Sequence, residues 1–113
     1  MLVLRRLEAL VLLASVLLLA PPVLAGTTGK IAGRVTDAVT GDPLPGVQIV
    51  IEQTGQGTVT DADGYYSLIN IKPGSYTVTF RYIGFATRGY ESVPVEVDKT
   101  YTLDVSMSEE VIQ

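Results

Sequence analysis

From Lys30 onward the apolar residues of this chain recur at every second position, and no stretch carries the 3.6-residue period of a helix. A period of two places alternate side chains on one face of a pleated strand, so the pattern points to half-buried β-strands throughout. Ile31, Gly33 and Val35 alternate with Ala32, Arg34 and Thr36; Val47, Ile49 and Ile51 alternate with Gln48, Val50 and Glu52, where Val50 blurs the pattern. The alternation returns over 58–60, at Tyr66 and Leu68, at Tyr76, Val78, Phe80 and Tyr82, at Val93, Val95 and Val97, and at Tyr101, Leu103, Val105 and Met107, which makes seven expected strands.

Between these runs stand breakers with specific turn chemistry: Thr40-Gly41-Asp42-Pro43, Pro45-Gly46, Thr54-Gly55-Gln56-Gly57, Asp61-Ala62-Asp63-Gly64, Lys72-Pro73-Gly74 and Asp98-Lys99. Short strands at this spacing, with no helical segment to carry parallel crossovers, imply an all-β sandwich. Three local expectations follow. Gly64 should take a positive φ in a tight turn. Pro94 should lie on a sheet edge, where a missing N–H is tolerated. Ile71 falls on the solvent parity of Tyr66 and Leu68, so a bulge near Ile69 and Asn70 is expected to return it to the core.

The first 25 residues follow a different logic. Arg5 and Arg6 precede an apolar run over residues 9–20, Pro21 and Pro22 stop it, and Val23-Leu24-Ala25 supplies the small residues of a cleavage site. A bilayer span needs about 20 apolar residues, so the reading is a cleavable export signal rather than an anchor. The chain has no cysteine, which excludes a lipid-anchored mature end. The expected organisation is a signal peptide over 1–25, a flexible leader over 26–29, one sandwich domain over 30–107 and a linker or truncated end over 108–113. Those last residues are expected to pack against nothing, since Glu109 and Glu110 add like charge and little apolar surface remains to order them.

Composition narrows the function classes. Of the 8 basic and 12 acidic residues, Arg5, Arg6 and Glu8 lie in the expected signal peptide, which leaves the remainder with a net charge of about −5. Nucleic acid is therefore a poor partner, because binding it needs clustered Lys and Arg. The sequence has neither histidine nor cysteine, which removes imidazole bases, thiolate nucleophiles and nearly all zinc sites.

Asp61 and Asp63 are the carboxylates nearest in sequence, and turn residues of this kind ordinarily accept local backbone hydrogen bonds. A calcium loop starting at Asp61 fails on spacing, since Tyr66 and Lys72 occupy the positions that need glycine and a bidentate glutamate. Gly26-Thr27-Thr28-Gly29-Lys30 resembles a phosphate loop only faintly, with Ile31 where Ser or Thr is required. Tyr66, Tyr76, Phe80, Tyr82 and Tyr101 share the inward parity and read as core; Tyr65, Phe85 and Tyr90 read as the exposed aromatics. No catalytic, cofactor-binding or metal-ligating residue is assigned.

The ordered fragments Ile31-x-Gly33-x-Val35-x-Asp37, Thr40-Gly41-x-Pro43-Leu44-Pro45-Gly46-Val47, Gly57-Thr58-x-Thr60-Asp61-x-Asp63-Gly64-x-Tyr66 and Pro73-Gly74-x-Tyr76-x-Val78 closely resemble the carboxypeptidase regulatory-like domain family. The resemblance covers Lys30 to about Met107 and implies a seven-stranded, prealbumin-like (transthyretin-like) sandwich with Greek-key connections. Members of that family stand beside metallocarboxypeptidase domains, inside adhesive surface proteins, and as periplasmic leaders of TonB-dependent outer-membrane receptors. Hydroxyisourate hydrolases share the prealbumin fold but need histidines that are absent here.

Phe80-Arg81-Tyr82-Ile83-Gly84-Phe85 and the terminal Leu103-x-Val105-x-Met107-Ser108-Glu109-Glu110 are most similar to the receptor-leader version. The resemblance therefore implies an exported, non-enzymatic accessory domain whose partner is a receptor plug and barrel or another envelope protein. The mature domain is not expected to insert in the membrane, and no cofactor is implied. A stand-alone secreted or periplasmic module that binds protein or carbohydrate remains the alternative.

Overall fold

The computed structural model describes residues 26–111; the expected export signal and the last two residues lie outside the described residues. The chain forms β1 (Gly29–Asp37), β2 (Gln48–Ile51), β3 (Gly57–Val59), β4 (Tyr65–Ile71), β5 (Gly74–Arg81), β6 (Arg88–Val95), β7 (Thr100–Thr102) and β8 (Val105–Met107). One sheet has β1 in its middle, flanked by β4 on one side and by β7 and β8 on the other; the second runs β3-β2-β5-β6. The two form an all-β, prealbumin-like sandwich.

The strand count is eight because the seventh expected strand is broken in two. β7 and β8 pair with successive halves of β1, and Leu103 and Asp104 interrupt them. Gly33 makes room at the break, since a Cβ there would run into the carbonyl of Leu103. Across the break the Asp104 carboxylate takes over as acceptor for the Arg34 N–H at 2.9 Å.

Both of these pairings are parallel. The chain makes the required crossover by passing through the second sheet, so this parallel pairing needs no helix. Only the first and last strands are affected; β1–β4, β2–β3, β2–β5 and β5–β6 are all antiparallel.

The inward faces meet in one core that includes Ile31, Val35, Ile49, Ile51, Leu68, Val78, Phe80, Val105 and Met107. Phe80 sits at its centre, edge-on to Tyr66 at 5.5 Å and to Tyr90 at 5.7 Å between ring centroids, an arrangement aromatic quadrupoles favour. Tyr66 donates its hydroxyl to the Leu103 carbonyl at 2.6 Å. Burial, with the charge of Asp104 adding to it, pushes its pKa well above the ordinary phenol value.

Thr60, a buried polar residue, ties the loop before β2 to the end of β3. Its hydroxyl accepts the Val47 N–H at 2.9 Å and donates to the Leu44 carbonyl at 2.5 Å.

Two bulges set which side chains reach this core. Asn70 has φ +57° and the β1–β4 register shifts between Gly29 and Ile31, so Ile71 is buried as expected while Ile69 and Asn70 face out. Ser92 also has φ +57°, and the β5–β6 register shifts between Tyr76 and Val78. That second bulge turns Tyr90 inward against Phe80, which corrects its reading as an exposed aromatic. Pro94 lies in β6, an edge of the second sheet, as expected.

Candidate interaction surface

Each residue singled out from sequence now has a place. Asp61 closes the β3–β4 turn: its Oδ1 accepts the N–H groups of Asp63 and Tyr65, both at 2.9 Å. Gly64 follows with φ +80° and donates its N–H to the Asp61 carbonyl at 3.0 Å. The Asp63 carbonyl accepts from Arg34 Nε at 3.0 Å, and the guanidinium lies over the Tyr65 ring at 5.1 Å. The Asp61 carboxylate therefore acts as turn chemistry, and Asp63 joins it through its backbone. Among the described residues no group of three or more His, Cys, Asp or Glu comes together in a way that could hold a metal.

The glycine-rich start is packed rather than open. Gly29 is buried, and a Cβ there would meet the Glu96 carbonyl and Val95. Thr28 accepts the Asp98 N–H at 3.0 Å. The ordered sandwich thus begins ahead of Lys30, and the last two residues of the expected flexible leader belong to it.

Among the remaining aromatics, Tyr65 is exposed as expected and Tyr76 and Tyr82 are half-buried. Tyr101 is exposed rather than core, because all three residues of β7 face solvent on a sheet edge. Phe85 is half-buried against the core cluster instead of free.

The feature that distinguishes the surface lies at the end of the sandwich where β1, β5 and β8 finish. Ala38 donates its N–H to Met107 at 2.9 Å, which brings the loop after β1 beside the end of β8. Residues 108–110 then pair with the β5–β6 loop: Ala86 N–H to Ser108 at 2.8 Å, Glu110 N–H to Gly84 at 2.9 Å, and an antiparallel bridge between Phe85 and Glu109. The expectation that the chain packs against nothing after Met107 is corrected for these three residues. Backbone pairing holds them, which the apolar pattern does not report.

Two loops and the exit segment at this end each carry an exposed apolar side chain. Asp37 holds the first: its Oδ1 accepts the N–H of Val39 at 2.8 Å and of Thr40 at 3.2 Å, and Val39 is 88% exposed. The second is a tight turn with the Phe85 N–H on the Tyr82 carbonyl at 3.1 Å and Gly84 at φ +85°, the signature of a type II turn. Ile83 sits at its tip, 98% exposed, and the Tyr82 and Phe85 rings that flank the turn pack 5.3 Å apart. Val111, 78% exposed, follows the pinned tail.

No other large apolar side chain in the described residues is as exposed as these three. Single exposed hydrophobics are ordinary, but Val39 and Ile83 stand on hydrogen-bonded turns and Val111 follows the paired tail, so the three form an apolar crown at one end. Residues held on such turns lose little conformational freedom when covered, which favours binding. An open groove of about 690 Å³ adjoins it, lined by Gly46, Gln48, Arg81, Tyr82, Ile83 and Thr87.

In the sequence, Ile83 stands out only as part of the aromatic motif similar to the receptor-leader version. The signal for exposure was Ile-Gly at the centre of a turn between two strands, where the residue before the glycine has no core to face.

Known proteins resemble this chain in sequence and in fold. The model of the carboxypeptidase regulatory-like domain matches residues 30–108. TonB-dependent receptor P39 of Formosa agariphila is 35% identical over 89 residues, and TonB-dependent receptor P3 of the same organism is 32% identical over 80. These alignments cover 75% and 71% of this chain but 8% of each receptor. A chain of a type II cohesin–X–dockerin complex from Acetivibrio cellulolyticus has the same fold, with TM-score 0.63 and 22% identity, covering 72% of this chain and 58% of that one.

Proposed function

Because the chain belongs to the carboxypeptidase regulatory-like domain family, we propose that it is the exported N-terminal accessory domain of an outer-membrane TonB-dependent receptor, acting by contact rather than by chemistry. The similarity to two such receptors carries this reading. No helix of the described residues is long and apolar enough to cross a membrane, so membrane attachment in this reading belongs to the receptor barrel. A sequence without histidine or cysteine, and an acidic turn whose Asp61 carboxylate is taken up by backbone N–H groups, support a non-catalytic role.

In this reading the apolar crown is the contact surface, and its occupant is the receptor polypeptide that follows the domain. The chain leaves the sandwich at that end, pinned to the Ile83 loop, so whatever follows starts beside the crown. Burying an isoleucine side chain stabilises a contact by about 1.5–3 kcal/mol, and Ile83 is free to contribute nearly all of it.

A free-standing binding module is the second reading, and the groove favours it: Arg81, Gln48 and Thr87 supply polar groups beside Tyr82 and Ile83. Sequencing the message beyond the codon for Gln113 separates the two. An in-frame continuation into a plug and alternating barrel strands supports the receptor domain, and a stop codon there rejects it in favour of the free module.

A further inference from the structure

The residues ahead of β1 are fastened to the turn between β6 and β7, at the end of the sandwich opposite the crown. Asp98 donates its N–H to the Thr28 carbonyl at 3.0 Å, and Lys30 donates to the Lys99 carbonyl at 3.0 Å. Gly29 is buried between them against Val95 and the Glu96 carbonyl. Further out, Gly26 lies on the Asp98 side chain: a Cβ at Gly26 would run into Asp98 Oδ1 and stand 3.3 Å from Oδ2. The Gly26 nitrogen is bonded to the same Cα, roughly 2.5 Å from that Cβ position, so it too lies beside the carboxylate.

The turn that carries this carboxylate does not use it. Asp37 and Asp61 spend theirs on the N–H groups of their own turns, and Asp104 spends its own on the Arg34 N–H; Asp98 makes no such bond. Lys30 and Lys99 line the same open cleft. Neither pairs with Asp98, because the one ion pair among the described residues joins Lys99 to Glu96 at 2.9 Å. Asp98 nevertheless holds a φ of +57°, a left-handed conformation that Asp and Asn tolerate better than other side chains. The backbone therefore presents an unpaired carboxylate to the start of the domain.

On the reading of residues 1–25 as a cleaved export signal, we propose that Asp98 receives the α-ammonium that cleavage after Ala25 leaves on Gly26. The pairing rests on that reading and takes nothing from the receptor assignment. In the uncut chain the Gly26 nitrogen is a neutral amide with one N–H. Hydrolysis of the Ala25–Gly26 bond consumes one water, leaves a carboxylate on Ala25 and gives Gly26 an amine that is protonated at neutral pH, with three donors. Opposite charges then meet where the backbone already holds the two segments together. An adjacent carboxylate favours the protonated amine, so removal of the signal fastens the new first residue and withholds its nitrogen from reagents that need the free base.

The full chain, exported by a bacterial host and recovered from its periplasm, tests this, with intact mass identifying the first residue. Acylation of the α-amine at neutral pH should run severalfold faster in Asp98→Asn, which removes the charge and keeps a residue suited to positive φ. Lys72, an exposed amine between β4 and β5, should react at the same rate in both. One alanine inserted between Ala25 and Gly26 moves the amine outward without touching the turn, and should also give the faster rate. Carbodiimide should join the Gly26 nitrogen to the Asp98 carboxylate as an amide, with loss of one water, in the parent only. A recovered chain that does not begin at Gly26 would overturn the proposal at the cleavage site. With Gly26 first, equal acylation rates in parent and variants, or no link between residues 26 and 98, would overturn the pairing itself.

Discussion

Substituting Gly64 probes how tightly the β3–β4 turn is built into the sandwich. Its φ of +80° is shared by other turn glycines: Gly41 has +74° and Gly55 +72°. At Gly41 and Gly55 an added Cβ would meet nothing within 4 Å, so alanine there suffers only the backbone strain, about 1–2 kcal/mol for an L-residue in the left-handed region. At Gly64 the same Cβ would stand 2.6 Å from the Val35 carbonyl, 3.1 Å from Pro43 Cβ and 3.3 Å from the Leu44 nitrogen.

Neither neighbour can yield without cost. The Val35 carbonyl accepts the Leu44 N–H at 3.0 Å, and the Val35 N–H donates to the Gly64 carbonyl at 2.8 Å. Relieving the clash stretches both bonds, each worth about 0.5–1.5 kcal/mol net. Gly64→Ala should therefore cost about 2–5 kcal/mol against about 1–2 kcal/mol for Gly41→Ala or Gly55→Ala. For a domain of this size each kcal/mol lowers Tm by about 4–8 °C, so the gap is readily resolved by thermal unfolding followed by circular dichroism. A Gly64→Ala protein as stable as Gly41→Ala would refute the reasoning, because the contacts with Val35 and Pro43 would then carry no weight.

Other positions make independent claims. Thr60→Val should destabilise by about 2–4 kcal/mol in urea unfolding, because it leaves the buried Val47 N–H and Leu44 carbonyl without their partner. Ile83→Asp should change Tm hardly at all, since the side chain is 98% exposed and burial cannot be lost. Tyr66 holds its proton more tightly folded than unfolded, so its contribution is fully present below the ordinary phenol pKa of 10.0 and declines as pH rises beyond it. Urea midpoints between about pH 9 and about pH 11.5 should fall more steeply for the parent than for Tyr66→Phe, and parallel curves would remove burial of that phenol from the account.

How much of this was legible in the sequence depended on whether a residue was forced to declare its face. Ile71 was: an aliphatic side chain on the wet parity of β4 made the Asn70 bulge readable from the alternation alone. Tyr90 was not, because a tyrosine suits either face, and the equivalent bulge at Ser92 left no mark on the alternation. Gly33 reads in the sequence only as an inward position of a strand, whereas its missing side chain makes room for Leu103 at the break between β7 and β8.

The parallel pairing was hidden for a related reason. Strand periodicity reports which face is dry but not which neighbour lies alongside, and a crossover through a second sheet has no signature of its own. The pinned tail escaped likewise, since residues 108–110 are held by backbone groups that every sequence possesses. The apolar crown could be read only in fragments, because Val39, Ile83 and Val111 are far apart in the chain and come to one end only through the fold.

The claim that this end is covered in its native setting can be tested by thiol labelling, for which the cysteine-free sequence gives no background. Ile83→Cys and Val59→Cys, 98% and 60% exposed in the domain, would be produced separately and treated with a maleimide, both as purified chain and in the intact cell envelope. The account predicts fast labelling of both thiols in the purified chain, and in the envelope a marked slowing at position 83 with position 59 little changed. Equal labelling of position 83 in the two settings would contradict it, for the crown would then be as bare in the cell as in isolation.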